Sequence, residues 1–250
     1  DSYGPSSEMG LNEAALVRAL RQVPGALERV VIATKGGHTR GPNATWWIDG
    51  SPAYLAAAAR ASLARLGLDE LPLYQHHRPD PRTPYAESMG ALRQLVDDGL
   101  VRRVGVSNVD LAQLAVARRE LGDALVSVQN EYSPLAGDAA VLRACERAGL
   151  AFLAYSPLGG MREAKQAVGG RGAFADIARE RGVSPQRIAI AWLLAASPSL
   201  IPIPGASRPE SVRDSAAAAA LALEAGELTR LNAAAGPAQA SPVDQAEARP

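Results

Sequence analysis

Short apolar runs recur along this chain roughly every 30 residues, and amphipathic stretches of helical period fill the intervals between them. That rhythm restricts the chain to repeated βα units built around a mostly parallel sheet. The runs read as strands over residues 30–34, 71–76, 103–106, 126–129, 151–155 and 200–203. Ser51-Pro52, Thr83-Pro84 and Ser184-Pro185 each pair an N-cap hydroxyl with a proline suited to the first helical position, and Asp110 caps a further helix. Gly67, Gly99, Gly122 and Gly149 close helical patterns just before the next strand. No Gly or Pro cluster is flanked by two self-contained patterns, so residues 1–235 read as one domain. Residues 236–250, rich in Ala, Pro, Gln and Ser, read as an irregular tail.

Composition removes several function classes. Acidic and basic residues balance at 26 each without runs of like charge, which leaves no electrostatic footprint for nucleic acid or an anionic membrane. The chain contains no apolar stretch of about 18 residues, the length a membrane-spanning helix needs. Cys145 is the single cysteine and lies in an apolar helical stretch, where it reads as a small hydrophobe in a reducing, cytoplasmic setting. A small-molecule partner is the expectation, and the oligomeric state is left open.

The strand ends are where chemistry gathers. In a parallel α/β barrel every C-terminal strand end opens on one face, so polar groups far apart in sequence converge there. Lys35 follows the first run, His77 the second, Ser107 and Asn108 the third and Gln129 the fourth. Tyr155 and Ser156 end the fifth, and Gly205 and Ser207 follow the sixth. Lys35 is conspicuous because every other basic side chain except Lys165 is arginine. Each residue has a bland alternative: Lys35 could snorkel from a strand end, His77 could be a satisfied core histidine, and Ser107-Asn108 could simply cap a turn.

Taken together, the segments Asp1-Ser2-Tyr3-Gly4-Pro5, Ala33-Thr34-Lys35-Gly36-Gly37, Leu73-Tyr74-Gln75-His76-His77-Arg78-Pro79-Asp80, Gly105-Val106-Ser107-Asn108, Val128-Gln129-Asn130-Glu131-Tyr132, Tyr155-Ser156-Pro157-Leu158-Gly159 and the run from Ile201 to Glu210 resemble, in order, the signature blocks of the aldo-keto reductases. The resemblance implies a (β/α)8 TIM barrel that binds NADPH and reduces an aldehyde or ketone to an alcohol. It places Tyr3 as general acid, Lys35 as its partner and His77 as the residue that orients the carbonyl. Free tyrosine holds its proton to a pKa near 10, and an ammonium beside it would favour the phenolate. Lysine serves here as a compact point charge, which a guanidinium fork would not.

The resemblance also distributes the cofactor contacts. It gives Ser107, Asn108 and Gln129 to the nicotinamide carboxamide, and Tyr155 to stacking on the ring. Ser156, Leu158 and Gly159, with the loop to Gly172, would fold over the pyrophosphate. Ser207 and Arg208 would meet the 2′-phosphate, at a helix start that favours anions, which makes NADP the expected nucleotide over NAD, and Gly205 just before them is a further expected cofactor contact. Asp214 and Ser215 fall at the adenine end, Ser215 replacing a common asparagine. No Gly-rich dinucleotide turn follows a strand, which disfavours a Rossmann domain, and no metal is expected.

Departures from the family pattern set further expectations. The usual tetrad aspartate would lie upstream of Asp1, and the opening hairpin and first two barrel strands have no counterpart in the sequence. Pro72 replaces a strand aspartate and removes a ladder donor. Arg78 stands where many aldehyde reductases carry an aromatic residue, which points to a more polar substrate pocket. Trp46 and Trp47, in the long loop after Lys35, could line that pocket or pack on the barrel top. Two other functions suit the same residues: a non-catalytic nucleotide-binding subunit and a Schiff-base lyase acting through Lys35.

Overall fold

The structure is a computed structural model that describes residues 2–4, 8–41, 45–159 and 172–235. Asp1, Lys165, most of the loop expected over the pyrophosphate (160–171) and the 236–250 tail lie outside the described residues. Two compact units divide the chain, Asp1–Val128 and Gln129–Pro250.

The first unit runs α1 (Leu11–Arg21), α2 (Ala26–Arg29), β1 (Ala33–Gly36), β2 (His38–Arg40), β3 (Trp46–Ile48), α3 (Pro52–Leu66), β4 (Leu73–His76), α4 (Tyr85–Asp97), β5 (Val104–Ser107) and α5 (Leu111–Leu121). β6 (Leu125–Glu131) crosses the division. In the sheet β1, β4, β5 and β6 are successive neighbours, and β1 to β4 and β4 to β5 pair in parallel. The apolar faces of α3 and α4 are buried through Leu55, Leu63 and Leu66 and through Met89, Leu92 and Leu95. Each fully buried side chain of this size contributes roughly 1.5–3 kcal/mol of transfer free energy.

Several local signals act as the sequence suggests. Ser51 accepts from the Tyr54 amide with Pro52 at the first helical position, and Asp110 closes a capping box with Gln113. Gly67 ends α3 in the left-handed region at φ 65°. Two expectations are corrected. The first strand starts at Ala33, not at Val30, and Val31 is 75 % exposed. Ala33 pairs with Leu73, so one step back along that register Ile32 faces Pro72, whose missing N–H cannot extend the ladder. At the other site, α4 starts at Tyr85 with Pro84 as its N-cap, and Thr83 is not the cap. The Thr83 hydroxyl instead donates to Asp80 Oδ2 at 3.4 Å, and this carboxylate also accepts from the Gly50 and Arg82 amides.

The segment read as a long loop after Lys35 contains an antiparallel ribbon, β2 with β3, in which Thr39 faces Trp47 and Arg40 faces Trp46. Gly37, at φ 106°, makes the turn from β1 into it, a conformation that L side chains rarely adopt.

The second unit takes up β6 and continues through α6 (Ala139–Ala148), β7 (Ala151–Tyr155), α7 (Ala173–Arg181), α8 (Pro185–Ala196), β8 (Leu200–Pro202), α9 (Pro209–Ala217) and α10 (Ala225–Ala234). β7 lies between β6 and β8 and pairs in parallel with β8, Phe152 opposite Leu200. Phe152, Ile177, Ile188 and Leu193 are fully buried in its core, and Trp192 ties α8 to α10 by donating to Asn232 Oδ1 at 2.8 Å.

Candidate active site

In the first unit the end of β1 is fixed from both sides. The Thr34 hydroxyl donates to the buried Glu13 of α1, and Arg65 of α3 closes on the same carboxylate. Gly36 has no room for a side chain, since a Cβ there would lie 1.9 Å from the Tyr74 hydroxyl oxygen. Between these anchors Lys35 brings its ammonium to 5.3 Å from the centroid of the Tyr3 ring. The Tyr3 hydroxyl lies 3.2 Å from Nε2 of His77, the residue that leaves β4. The three residues expected to carry the chemistry thus form one cluster.

The ribbon adds a wall. Trp46 meets the Tyr3 ring edge-on at 6.4 Å, and the His38 ring lies 5.4 Å from Trp46 and 4.1 Å from His77. Trp47 is more than half exposed and faces Thr39, not His38 or Arg40, so it does not join this contact set.

Burial decides the protonation of the cluster. It lowers Lys35 from 10.5 to about 8, which leaves the amine charged at neutral pH. It likewise lowers His77 to about 2, helped by the charges of Lys35 and Arg78, and His38 to about 4, helped by Arg78 and Lys35. Both imidazoles are therefore neutral at pH 7, and each can offer one N–H and one lone pair.

Arg78 and Asn108 bracket the histidine. Arg78 Nη2 donates to Asn108 Oδ1 at 3.0 Å, and Asn108 Nδ2 donates at 3.0 Å to both the His77 carbonyl and Ser107 Oγ. Asn108 takes up this position in the left-handed region, at φ 59°. Its side chain, read from sequence as a cofactor contact, also holds the backbone of His77. Ser107 is buried at the end of β5.

In the second unit Gln129 is buried on β6, and Tyr155 ends β7 partly buried. Ser156, at φ 48°, begins a turn in which its carbonyl accepts from the Gly159 amide. A cleft of about 390 Å³ is lined by Leu158, Gly205, Arg208, Asp214 and Ser215, all expected from sequence, and by Ser184, Gln186, Glu210 and Ser211. Ser207 is exposed beside Arg208 and does not line it. Arg208 is the N-cap residue of α9, so the start of that helix opens on the cleft. Asp214 is held inside the unit by Arg187 at 2.6 Å and by the Ser184 hydroxyl.

Sequence reasoning missed His38, Arg40, Ser184, Gln186 and Ser211. The one available signal was proximity, since His38 and Arg40 follow Lys35 within a few residues.

Comparison with known proteins identifies the family. The chain belongs to the aldo/keto reductase family, whose profile matches residues 1–235. The fold of that family is a (β/α)8 barrel. The chain is 33 % identical over 235 residues to an uncharacterized oxidoreductase of Schizosaccharomyces pombe, covering 93 % of this chain and 72 % of that one. It is 36 % identical over 227 residues to 6-dehydroglucose reductase of Novosphingobium aromaticivorans, covering 87 % and 73 %. Among solved structures, an aldo/keto reductase from Klebsiella pneumoniae in complex with NADP and acetate superposes with a TM-score of 0.75 at 26 % identity, over 90 % of this chain and 75 % of that one.

Proposed function

We propose that the protein reduces an aldehyde or ketone to an alcohol with NADPH, Tyr3 giving the proton, Lys35 assisting it and His77 orienting the carbonyl. The observation that carries this reading is the 3.2 Å contact of the Tyr3 hydroxyl with His77 Nε2, made beside the Lys35 ammonium. When bound, the reduced nicotinamide supplies a hydride to the carbonyl carbon. The chain's residues attend to the oxygen. As the new C–H bond forms, the C=O π pair moves onto oxygen and the alkoxide takes the Tyr3 proton. Neutral His77 can direct an Nε2–H at the same oxygen, a donor aimed where charge develops. The Lys35 cation then offsets the phenolate until solvent returns a proton to Tyr3.

Nucleotide binding is assigned unit by unit. In the first, Ser107 and Asn108 would meet the nicotinamide carboxamide; in the second, Gln129 would do the same and Tyr155 would stack on the ring. Ser156, Leu158 and Gly159 would border the pyrophosphate. Arg208 and the start of α9, with Ser207, would receive the 2′-phosphate, Gly205 would be a further cofactor contact, and Asp214 and Ser215 would border the adenine end. An arginine and a helix N-terminus opening on one cleft suit a phosphate. The likeness to a reductase solved with NADP supports the same choice.

Replacing Tyr3 with phenylalanine tests the assignment. NADPH affinity should stay within about twofold while turnover falls by roughly 100- to 10,000-fold. Undiminished turnover would remove Tyr3 from the role. NADPH binding by the unaltered protein without any aldehyde turnover would favour a nucleotide-binding subunit instead.

A further inference from the structure

Many arginines of this chain close on a carboxylate: Arg65 on Glu13, Arg82 on Asp80, Arg181 on Glu227 and Arg187 on Asp214. Two that border the Tyr3 and His77 cluster do not. Among the described residues neither Arg40 nor Arg78 forms an ion pair. Among the described residues Arg78 donates to the neutral amide oxygen of Asn108. Arg40 lies with its guanidinium carbon 4.0 Å from the Trp46 ring centroid, and its Nε is enclosed with no acceptor. An N–H left unmet in such a position costs free energy that an incoming acceptor would recover.

The geometry suits a guest of one charge. A guanidinium stacked on an indole uses its face and keeps its in-plane N–H edge for a planar oxygen pair. Trp46, which carries Arg40, also touches Tyr3 and His38, while Arg78 follows His77 directly in the chain. The charges that act on His38 are those of Arg78 and Lys35, both positive. Cations gathered in a partly desolvated region draw anions.

We infer that the carbonyl substrate bears an anionic oxygen group, a carboxylate or a phosphate, which Arg40, braced on Trp46, receives together with Arg78 while the carbonyl lies at Tyr3 and His77. This rests on the reductase reading above and narrows it to a substrate class.

The test compares matched substrates at saturating NADPH: succinic semialdehyde against butyraldehyde, and glyceraldehyde 3-phosphate against glyceraldehyde. The charged member of at least one pair should have the higher kcat/KM by about tenfold or more, mostly through KM. The pair that shows the gain identifies the group. Arg40→Gln should bring that ratio close to one, and Arg40→Lys should restore only part of it, because an ammonium neither forks nor stacks in the same way. A second arm needs no turnover: succinate and inorganic phosphate are titrated into nucleotide-free protein and followed by tryptophan fluorescence and calorimetry. Binding of either that is lost in Arg40→Gln supports the anion site even if no aldehyde is reduced, in which case only the reductase reading fails. Reduction of charged and neutral aldehydes at equal kcat/KM, with the ratio unchanged in Arg40→Gln, would overturn the inference.

Discussion

At the scale of single residues, Lys35 shows how burial sets a working range. Its pKa falls from 10.5 to about 8 through desolvation, so the ammonium that should assist Tyr3 is lost as pH rises through about 8. Carbonyl reduction is therefore expected to decline above about pH 8. Stability should move the other way: between about 8 and 10.5 the unfolded chain holds a proton that the folded chain has released, so the fold gains as pH rises. A pH series of kcat alongside urea unfolding checks both limbs, and a flat kcat profile through this window would contradict the role. Lys35→Arg keeps its charge throughout, so it should be slow at every pH and lack the decline near 8. Lys35 stood out in sequence as one of two lysines among arginines; its partners were legible only through the family's block order. Nothing in the residues themselves reveals that Trp46, Tyr3, His38 and His77 share ring contacts, because those contacts join separate elements.

At the scale of elements, β4 carries a second histidine with a different task. His76 is fully buried, and both its ring nitrogens lack partners. It packs 5.7 Å from the Tyr85 ring of α4, with Gly37 and Gly50 so near that an added Cβ at either would lie within 3.5 Å of its ring atoms. Burial lowers it from 6.5 to about 4, so it stays neutral in the fold while the unfolded chain protonates first. Stability is complete above about 6.5 and is lost as pH falls through about 4, a contribution on the order of 3 kcal/mol. His76→Leu should flatten part of that acid limb in denaturant titrations at pH 7 and pH 4; an unchanged limb would refute this origin. The elements themselves were well marked in sequence where a cap or a stop is local, as at Ser51, Asp110, Ser184 and Gly149. They were misread where pairing decides. The start of β1 depends on Pro72 across the ladder, Thr83 is drawn to Asp80, and the β2 and β3 ribbon is too short to show an alternating pattern.

At the scale of the whole molecule, the recurring βα rhythm was enough to give the parallel α/β class, and the ordered blocks gave the family. The candidate residues were legible as lying near strand ends, Lys35, His77 and Ser107 in the first unit and Gln129 and Tyr155 in the second. The local charge pattern was not, since overall neutrality conceals Arg40 and Arg78, which form no ion pair among the described residues. The family sets oxidoreductase chemistry as the frame; the proposal made from the residues is a specific route for hydride and proton. That route is most directly tested by supplying NADPH deuterated at the transferable nicotinamide position with an aldehyde the protein turns over, and locating the label by mass spectrometry. The expected result is one deuterium on the former carbonyl carbon for each NADPH oxidised, with the signal all but abolished in Tyr3→Phe. Oxidised NADPH with no label in the alcohol, or a borohydride-trapped adduct on Lys35, would contradict it.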